Sequence, residues 1–290
     1  MTQLSIAPGR LAAGRRSSWA PTWPLISTKV LELRKRRTLM IVTVAFTVGL
    51  PVIFYAIRLA YHLGSPARYA PAGAPDAFAT IGTLMGEFGF IIAATLGATA
   101  ATDDLTDGMF RHLVITGRSR LALYLARMPA GLSILLSAAA IGFIVACLVT
   151  AFLGSPHAAS AVSVSAGDMV RSGLWLELYL LIGFILGLGL GSLMGQRTVP
   201  VILLIVLEII ITPVLADHPL PFFLNGERLI VGVAMDQLKP AAIAGGAQVG
   251  PSGGLLHLPP MPTWAMITVI AGWIIGWSAI GAWKMVTRDA

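Results

Sequence analysis

Apolar residues run along this chain in long unbroken stretches, and charged residues gather in short clusters between them. Between Arg37 and Arg58 no charge interrupts the run TLMIVTVAFTVGLPVIFYAI. A helix crosses about 30 Å of hydrocarbon in roughly 20 residues, so this run predicts a transmembrane helix over 38–59, with Pro51 placed to kink it. The same pattern predicts spans over 78–101, 122–153, 172–195, 199–215 and 263–283, making an all-α integral membrane protein of six transmembrane helices. The third ends at the turn Gly154-Ser155-Pro156. Only Gln196, Arg197 and Thr198 separate the fourth from the fifth, which requires a tight antiparallel hairpin. Trp264 and Trp283, near the ends of the last, suit anchoring at the two interfaces.

The stretches between spans carry their own signals. Residues 1–21 are small, polar and basic, with Arg10, Arg15 and Arg16, and read as a disordered tail. From 22 to 37, Trp23, Ile26, Val30 and Leu33 recur at helical spacing opposite Lys29, Glu32 and Arg36, with Thr22 as cap and Pro24 in the first turn. This predicts an amphipathic helix that lies on the membrane surface and feeds the first span, or else extends it. Over 103–116, Thr102 or Asp103 can cap a short helix. Asp104 and Asp107 suit its N-terminal end, Leu105, Met109 and Leu113 share a face, and Gly117 can stop it. Ser119 can then start the next helix. The stretch 216–262 is apolar but broken by Pro219, Pro221, Gly226 and Pro240. Two short helices, around 220–236 and 237–243, are expected there, in a segment that re-enters the bilayer against protein or in an exposed loop.

Composition supports this reading: of 290 residues 56% are hydrophobic and only 11% charged, where a water-soluble domain carries about a quarter. The net charge of +7 does not point to nucleic acid, because Lys and Arg sit at the ends of apolar runs. With the N-terminus inside, fifteen Lys and Arg fall on the cytoplasmic side and five outside. That bias predicts both termini in the cytoplasm of a multi-pass protein of the cell membrane. The length of chain before the first run, and the lack of a small-x-small site after it, argue against a cleavable leader.

The chain carries no recognisable catalytic machinery. None of its lysines follows a glycine, so it has no phosphate-cradling Gly-x-x-x-x-Gly-Lys loop; it has no His-Glu-x-x-His and no Gly-x-Ser-x-Gly elbow. Cys147 stands alone in an apolar run, without a partner for a disulfide or redox pair. Glu87, Glu177 and Glu208 fall within spans, where a charge costs at least ~2.5 kcal/mol at the bilayer centre. Glu87 and Glu208 read either as a polar lining for a substrate path or proton site, or as carboxyls bonded to a neighbouring helix; Glu177 is nearer the outer interface. Gly183, Gly187, Gly191 and Gly195 recur every fourth residue and form a seam for close helix packing, within the bundle or between subunits.

In its order of elements the chain resembles the membrane subunit, or permease, of ABC-2 type ATP-binding-cassette transporters. Its most specific element is 103-DDLTDGMFRHLVITGRSR-120, similar to the family's acidic-x-Gly-x-x-x-x-Leu pattern ending in Ser-Arg. Asp103, Asp104 and Asp107 stand where glutamates are common, and Gly117-Arg118 where a proline usually precedes the Ser-Arg pair. The resemblance implies a pair of such subunits, a second copy or a paralogue, in the lipid bilayer above two separate nucleotide-binding ATPase subunits. Those partners would bind ATP and Mg, this chain holding no cofactor or metal itself. Asp103, Asp104, Asp107, Gly108, Met109, Phe110 and Leu113 would meet the ATPase, whose closure would drive export of a hydrophobic or amphipathic substrate. A rival reading is a proton- or sodium-coupled secondary transporter with Glu87 and Glu208 as coupling sites; another is a non-transporting scaffold, sensor or unfamiliar membrane enzyme.

Overall fold

The computed structural model describes residues 23–106, 119–154, 164–212, 214, 226, 228–244 and 261–287. Every regular element among them is a helix. In chain order these are α1 (Trp23–Lys35), α2 (Arg37–Val44), a π-helical segment Ala45–Gly49, α3 (Leu50–Gly64), α4 (Pro75–Thr106), α5 (Arg120–Leu153) and α6 (Ala166–Met194). Next come α7 (Thr198–Ile205), a second π-helical segment Val206–Ile211, α8 (Val231–Gln237), α9 (Ala241–Ala244) and α10 (Thr263–Thr287). Five stretches are long and apolar enough to cross a membrane: Arg37–Gly64, Pro75–Asp103, Arg120–Leu153, Ala166–Met194 and Thr263–Thr287. The chain is a multi-pass membrane protein. The stretch expected as a span over 199–215 is helical from Thr198 through its π segment to Thr212, and within the described residues it is shorter than a spanning helix.

Both π segments precede a proline in the sequence by two residues, Pro51 and Pro213. Proline brings no N–H to close the bond four residues back, and widening one turn to five-residue bonding accommodates the missing donor. The Leu50 N–H accordingly bonds to Ala45 O. Helix starts and stops obey the local chemistry. The Ser119 hydroxyl accepts the Ala122 N–H at 3.1 Å and starts α5, and Ser165 accepts the Asp168 N–H at 3.1 Å and starts α6. Gly195 ends α6 in the left-handed conformation at φ 71°, where a Cβ would be strained.

The core of the bundle is the α4/α6 pair, which packs more extensively than any other. Small residues make this possible. A Cβ on Gly97 would overlap the Phe184 carbonyl, one on Gly187 would overlap the Ala94 carbonyl, and one on Gly191 would lie 2.9 Å from the Ala101 Cβ. Gly183 faces Phe90 and Ala93 in the same line. The seam at Gly183, Gly187 and Gly191 therefore lies within the chain, while Gly195 serves as the cap. Tyr55 shares a hydrogen bond with the Thr150 hydroxyl at 3.1 Å, tying α3 to α5, and Arg58 pairs with Asp76 at 2.7 Å where α3 and α4 meet.

Helix α1 occupies the place expected of the amphipathic segment but turns a different face inward. Leu25, Lys29 and Leu33 are buried, and Trp23 is 77% exposed. Leu25 packs on Leu123 and Ala126 of α5, with Ile26 beside them. The buried face is thus chosen by its fit to α5 rather than by greatest hydrophobicity. Lys29 can be buried because its stem is apolar and its ammonium pairs with Glu32 at 2.8 Å.

Candidate functional site

Helix α4 does not stop at Thr102. The Thr102 hydroxyl donates to Ala98 O at 2.9 Å inside the helix instead of capping a new one, and α4 continues to Thr106. Asp103 is 5% exposed and takes Arg36 of the α1–α2 junction in a 2.9 Å ion pair. Arg127 of α5, 1% exposed, donates to Ala101 O at 2.9 Å near this end of α4. Asp104 lies on the last turn of α4. Asp107, Gly108, Met109, Phe110 and Leu113 lie outside the described residues, and with them most of the helix expected over 103–116. Asp103, expected on a contact surface, is turned into the chain and joined to the segment before the first span.

The second concentration of polar groups lies deeper in the bundle. Tyr179 of α6 stacks on Trp175, one turn earlier, at 5.2 Å between ring centroids, and meets Phe90 of α4 at 5.1 Å. Its hydroxyl donates to Glu208 Oε1, from the π segment after α7. Glu208 is 9% exposed, and its other oxygen, Oε2, is buried without a hydrogen-bond partner among the described residues. Thr212, one turn on, donates its hydroxyl to Leu207 O at 3.0 Å.

Against this pair lies α8, whose residues Val231 to Met235 are all buried. An added Cβ on Gly232 would stand 2.7 Å from Thr212 Oγ1 and 2.8 Å from Glu208 Oε2, so glycine is what lets α8 approach. A helix this short leaves several carbonyls unpaired, which an apolar surrounding penalises. Two indoles answer two carbonyls of this segment. Trp175 Nε1 donates to Met235 O at 2.9 Å and Trp273 Nε1 of α10 to Leu229 O at 2.7 Å. Ile243 of α9 packs on Gly82 of α4, and the Thr83 hydroxyl reaches its carbonyl at 3.4 Å. The first short helix, expected around 220–236, is present from Val231, after a turn at Arg228–Ile230, and residues 220–225 lie outside the described ones.

Asp236 and Lys239 sit at the end of α8, at the edge of this cluster. The Lys239 ammonium stands 5.6 Å from the Trp175 ring centroid. Burial pushes the Asp236 carboxyl above the ordinary carboxylate range; Lys239 opposes that shift and Glu87 adds to it. Glu208 is the carboxyl bonded to Tyr179, whereas Glu87 stands on the exposed side of α4. Glu177 is half-buried elsewhere on α6, with Oε2 unpartnered among the described residues.

No protein-family model matches the chain, and no curated protein matches it. Among the described residues no three His, Cys, Asp or Glu side chains stand where they could hold a metal ion. What the cluster offers is one buried carboxyl with a free acceptor oxygen among the described residues, a second carboxyl at its edge in Asp236, and a stack of aromatic faces. Sequence reasoning found Glu87 and Glu208 but missed Tyr179, Trp175, Asp236 and Lys239. The i, i+4 spacing of Trp175 and Tyr179 was the available signal; Asp236 and Lys239 sit in a stretch whose burial no periodicity announces.

A groove of about 440 Å³ runs along α10, lined by Leu229, Thr268, Gly272, Trp273, Gly276 and Trp277. Among the described residues nothing stands within 4 Å of where a Cβ on Gly272 or Gly276 would point, in contrast with the filled glycine face of α6.

Proposed function

We propose that this chain is the permease subunit of an ATP-driven exporter of the ABC-2 type. It would work beside a second permease, with a separate nucleotide-binding ATPase beneath them, to move a hydrophobic or amphipathic substrate out of the cytoplasm. The observation that carries this reading is the continuity of α4 with the acidic segment beyond it. One unbroken helix leads from Pro75 through the bundle to Thr106, at the threshold of that segment, and Arg36–Asp103 ties its last turns to α1. A push on residues 107–116 would move α4 and α1 together, and the glycine seam would carry that motion to α6. The ATPase contacts in this reading are Asp104, Asp107, Gly108, Met109, Phe110 and Leu113, with Asp103 as the internal link.

Three further observations support the reading. The excess of Lys and Arg at one set of helix ends favours a cytoplasmic N-terminus. Glu87 is exposed partway along a spanning helix, a position that hydrocarbon disfavours and that a second permease or a substrate path would cover. The short helices α8 and α9, which follow α7 and its π segment in the chain, pack on α10 and on α4 and α6 respectively.

The test is purification of the chain with its bound proteins. A stable complex with an ATPase carrying the phosphate-binding loop is expected, and Gly108→Pro or Phe110→Asp should uncouple it without unfolding the bundle. Unchanged ATPase binding and substrate-stimulated hydrolysis in both variants count against the contact assignment. Proton- or sodium-coupled transport is the second reading, favoured by the Glu208 oxygen that is buried without a hydrogen-bond partner among the described residues. It predicts flux with no ATPase present, abolished by Glu208→Gln.

A further inference from the structure

We infer that the outward face of α1 is a docking surface for anionic phospholipid, with Trp23 and Leu31 entering the headgroup layer and Arg34, Lys35 and Arg37 pairing with lipid phosphates. The inference goes beyond the exporter reading and does not depend on it.

Contacts at its two ends set the depth of α1. Leu25 packs on Leu123 and Ala126, in the first two turns of α5, whose apolar stretch begins at Arg120. At the other end of α1, Arg36 pairs with Asp103, where the apolar stretch of α4 ends. A helix held against both boundaries lies where hydrocarbon gives way to headgroups. Nor is α1 a straight extension of the first span, because the backbone leaves the helical region at Arg36, with φ −77° and ψ 77°.

Register then decides what faces outward. Leu25, Lys29 and Leu33 are the buried line of α1, which packs chiefly on α5. At about 3.6 residues per turn, Trp23, Leu31, Arg34 and Lys35 come round to the opposite side. Trp23 is 77% and Leu31 56% exposed, and Arg34, Lys35 and Arg37 are exposed as well. Glu32, the one acid of α1, is occupied by Lys29, and no described acid pairs with Arg34, Lys35 or Arg37.

Charge complementarity selects an anionic partner, and the apolar residues on the same face select lipid. Basic side chains at headgroup depth attract acidic phospholipids, while tryptophan favours the interface itself. A helix with both on one side lies in the interface plane. A soluble acidic protein would answer the three cations but would give an indole and a leucine no apolar layer to enter.

The test uses the full chain in nanodiscs whose phosphatidylcholine is progressively replaced by acyl-brominated phosphatidylglycerol or by acyl-brominated phosphatidylcholine. The chain has seven tryptophans, so the Trp23 signal is taken as the difference between the unaltered protein and Trp23→Phe. Half-maximal quenching of Trp23 should need at least about five-fold less brominated phosphatidylglycerol than brominated phosphatidylcholine, the factor that one basic residue supplies at a membrane surface. The triple variant Arg34→Gln, Lys35→Gln, Arg37→Gln should bring the two half-points together. Arg197→Gln, an exposed cation on the connection between α6 and α7, should leave them apart. High salt should remove most of the preference from the unaltered protein, because exposed charges are screened. Equal quenching by the two lipids overturns the proposal, as does a preference that survives in the triple variant or in high salt. Absence of Trp23 quenching by either lipid places this face in water or against another protein and overturns it too. An equal loss in Arg197→Gln assigns the preference to overall charge and refutes a site on α1.

Discussion

Replacing glycine by alanine on two helices of this protein should give opposite results. At Gly187 the added Cβ would overlap the Ala94 carbonyl oxygen and stand 2.8 and 2.9 Å from Ala94 C and Cα. Carbon atoms rest about 3.5–4.0 Å apart, so α4 and α6 must part by roughly 1 Å, and the obstacle is backbone that cannot rotate away. A gap of that size forfeits about a quarter to a half of each dispersion contact across the seam. Gly97 and Gly191 hold the same two helices together, so the loss spreads along the seam. Overpacking of this kind costs about 1–3 kcal/mol, and the upper end is expected here. At Gly272 and Gly276 a Cβ meets nothing among the described residues. There the change only removes the backbone freedom of glycine, for a gain of about 0.5–1 kcal/mol. Thermal unfolding in a mild detergent, followed by circular dichroism, should place Gly187→Ala well below the unaltered protein and Gly272→Ala at or slightly above it. Equal shifts for the two variants would refute the claim that the α4/α6 seam is the tight one.

Three other outcomes are expected. Arg36→Ala removes the 2.9 Å ion pair to the buried Asp103 at the α1–α2 junction and should cost about 1–3 kcal/mol, read as faster proteolysis within 23–36 while α4 stays protected. Tyr179→Phe removes the donor to Glu208 Oε1 and should cost about 1–3 kcal/mol, whereas Tyr124→Phe, whose hydroxyl is buried without a partner among the described residues, should be neutral or stabilising by the same unfolding assay. With Cys147 replaced by Ala, single cysteines introduced near residue 20 and in the 65–70 turn should react with a membrane-impermeant maleimide in opposite preparations, the first only in inside-out vesicles; the reverse pattern would overturn the proposed orientation.

How far the sequence carried the fold depended on the kind of signal. Hydrocarbon thickness sets helix length, so the long apolar runs were legible, and Ser119, Leu153 and Gly195 fell at element ends because their chemistry is local. The direction of the glycine seam was not, because a helix with one small face does not say what fills it; only Ala94 and Phe184 across the gap decide that. The buried face of α1 was misplaced because Lys29 looks like a solvent residue until Leu123 and Ala126 are seen beside its neighbours. The candidate site was half legible. Glu87 and Glu208 stand out in any apolar run, but the bond of Tyr179 to Glu208 and the intrusion of α8 are products of tertiary packing.

The two tryptophans that hold α8 lie on opposite sides of it in the sequence, and that bears on how the protein is made. Synthesis delivers Trp175 before α8 and Trp273 after it. Until α10 enters the membrane, the Leu229 carbonyl lacks its indole partner and must find its donor in water. The 228–244 stretch should therefore wait in the wet interface while the earlier helices are already inserted, and fold inward once α10 arrives. The final helix acts as a latch, and a ribosome-bound chain truncated before residue 263 should leave the stretch open to added protease.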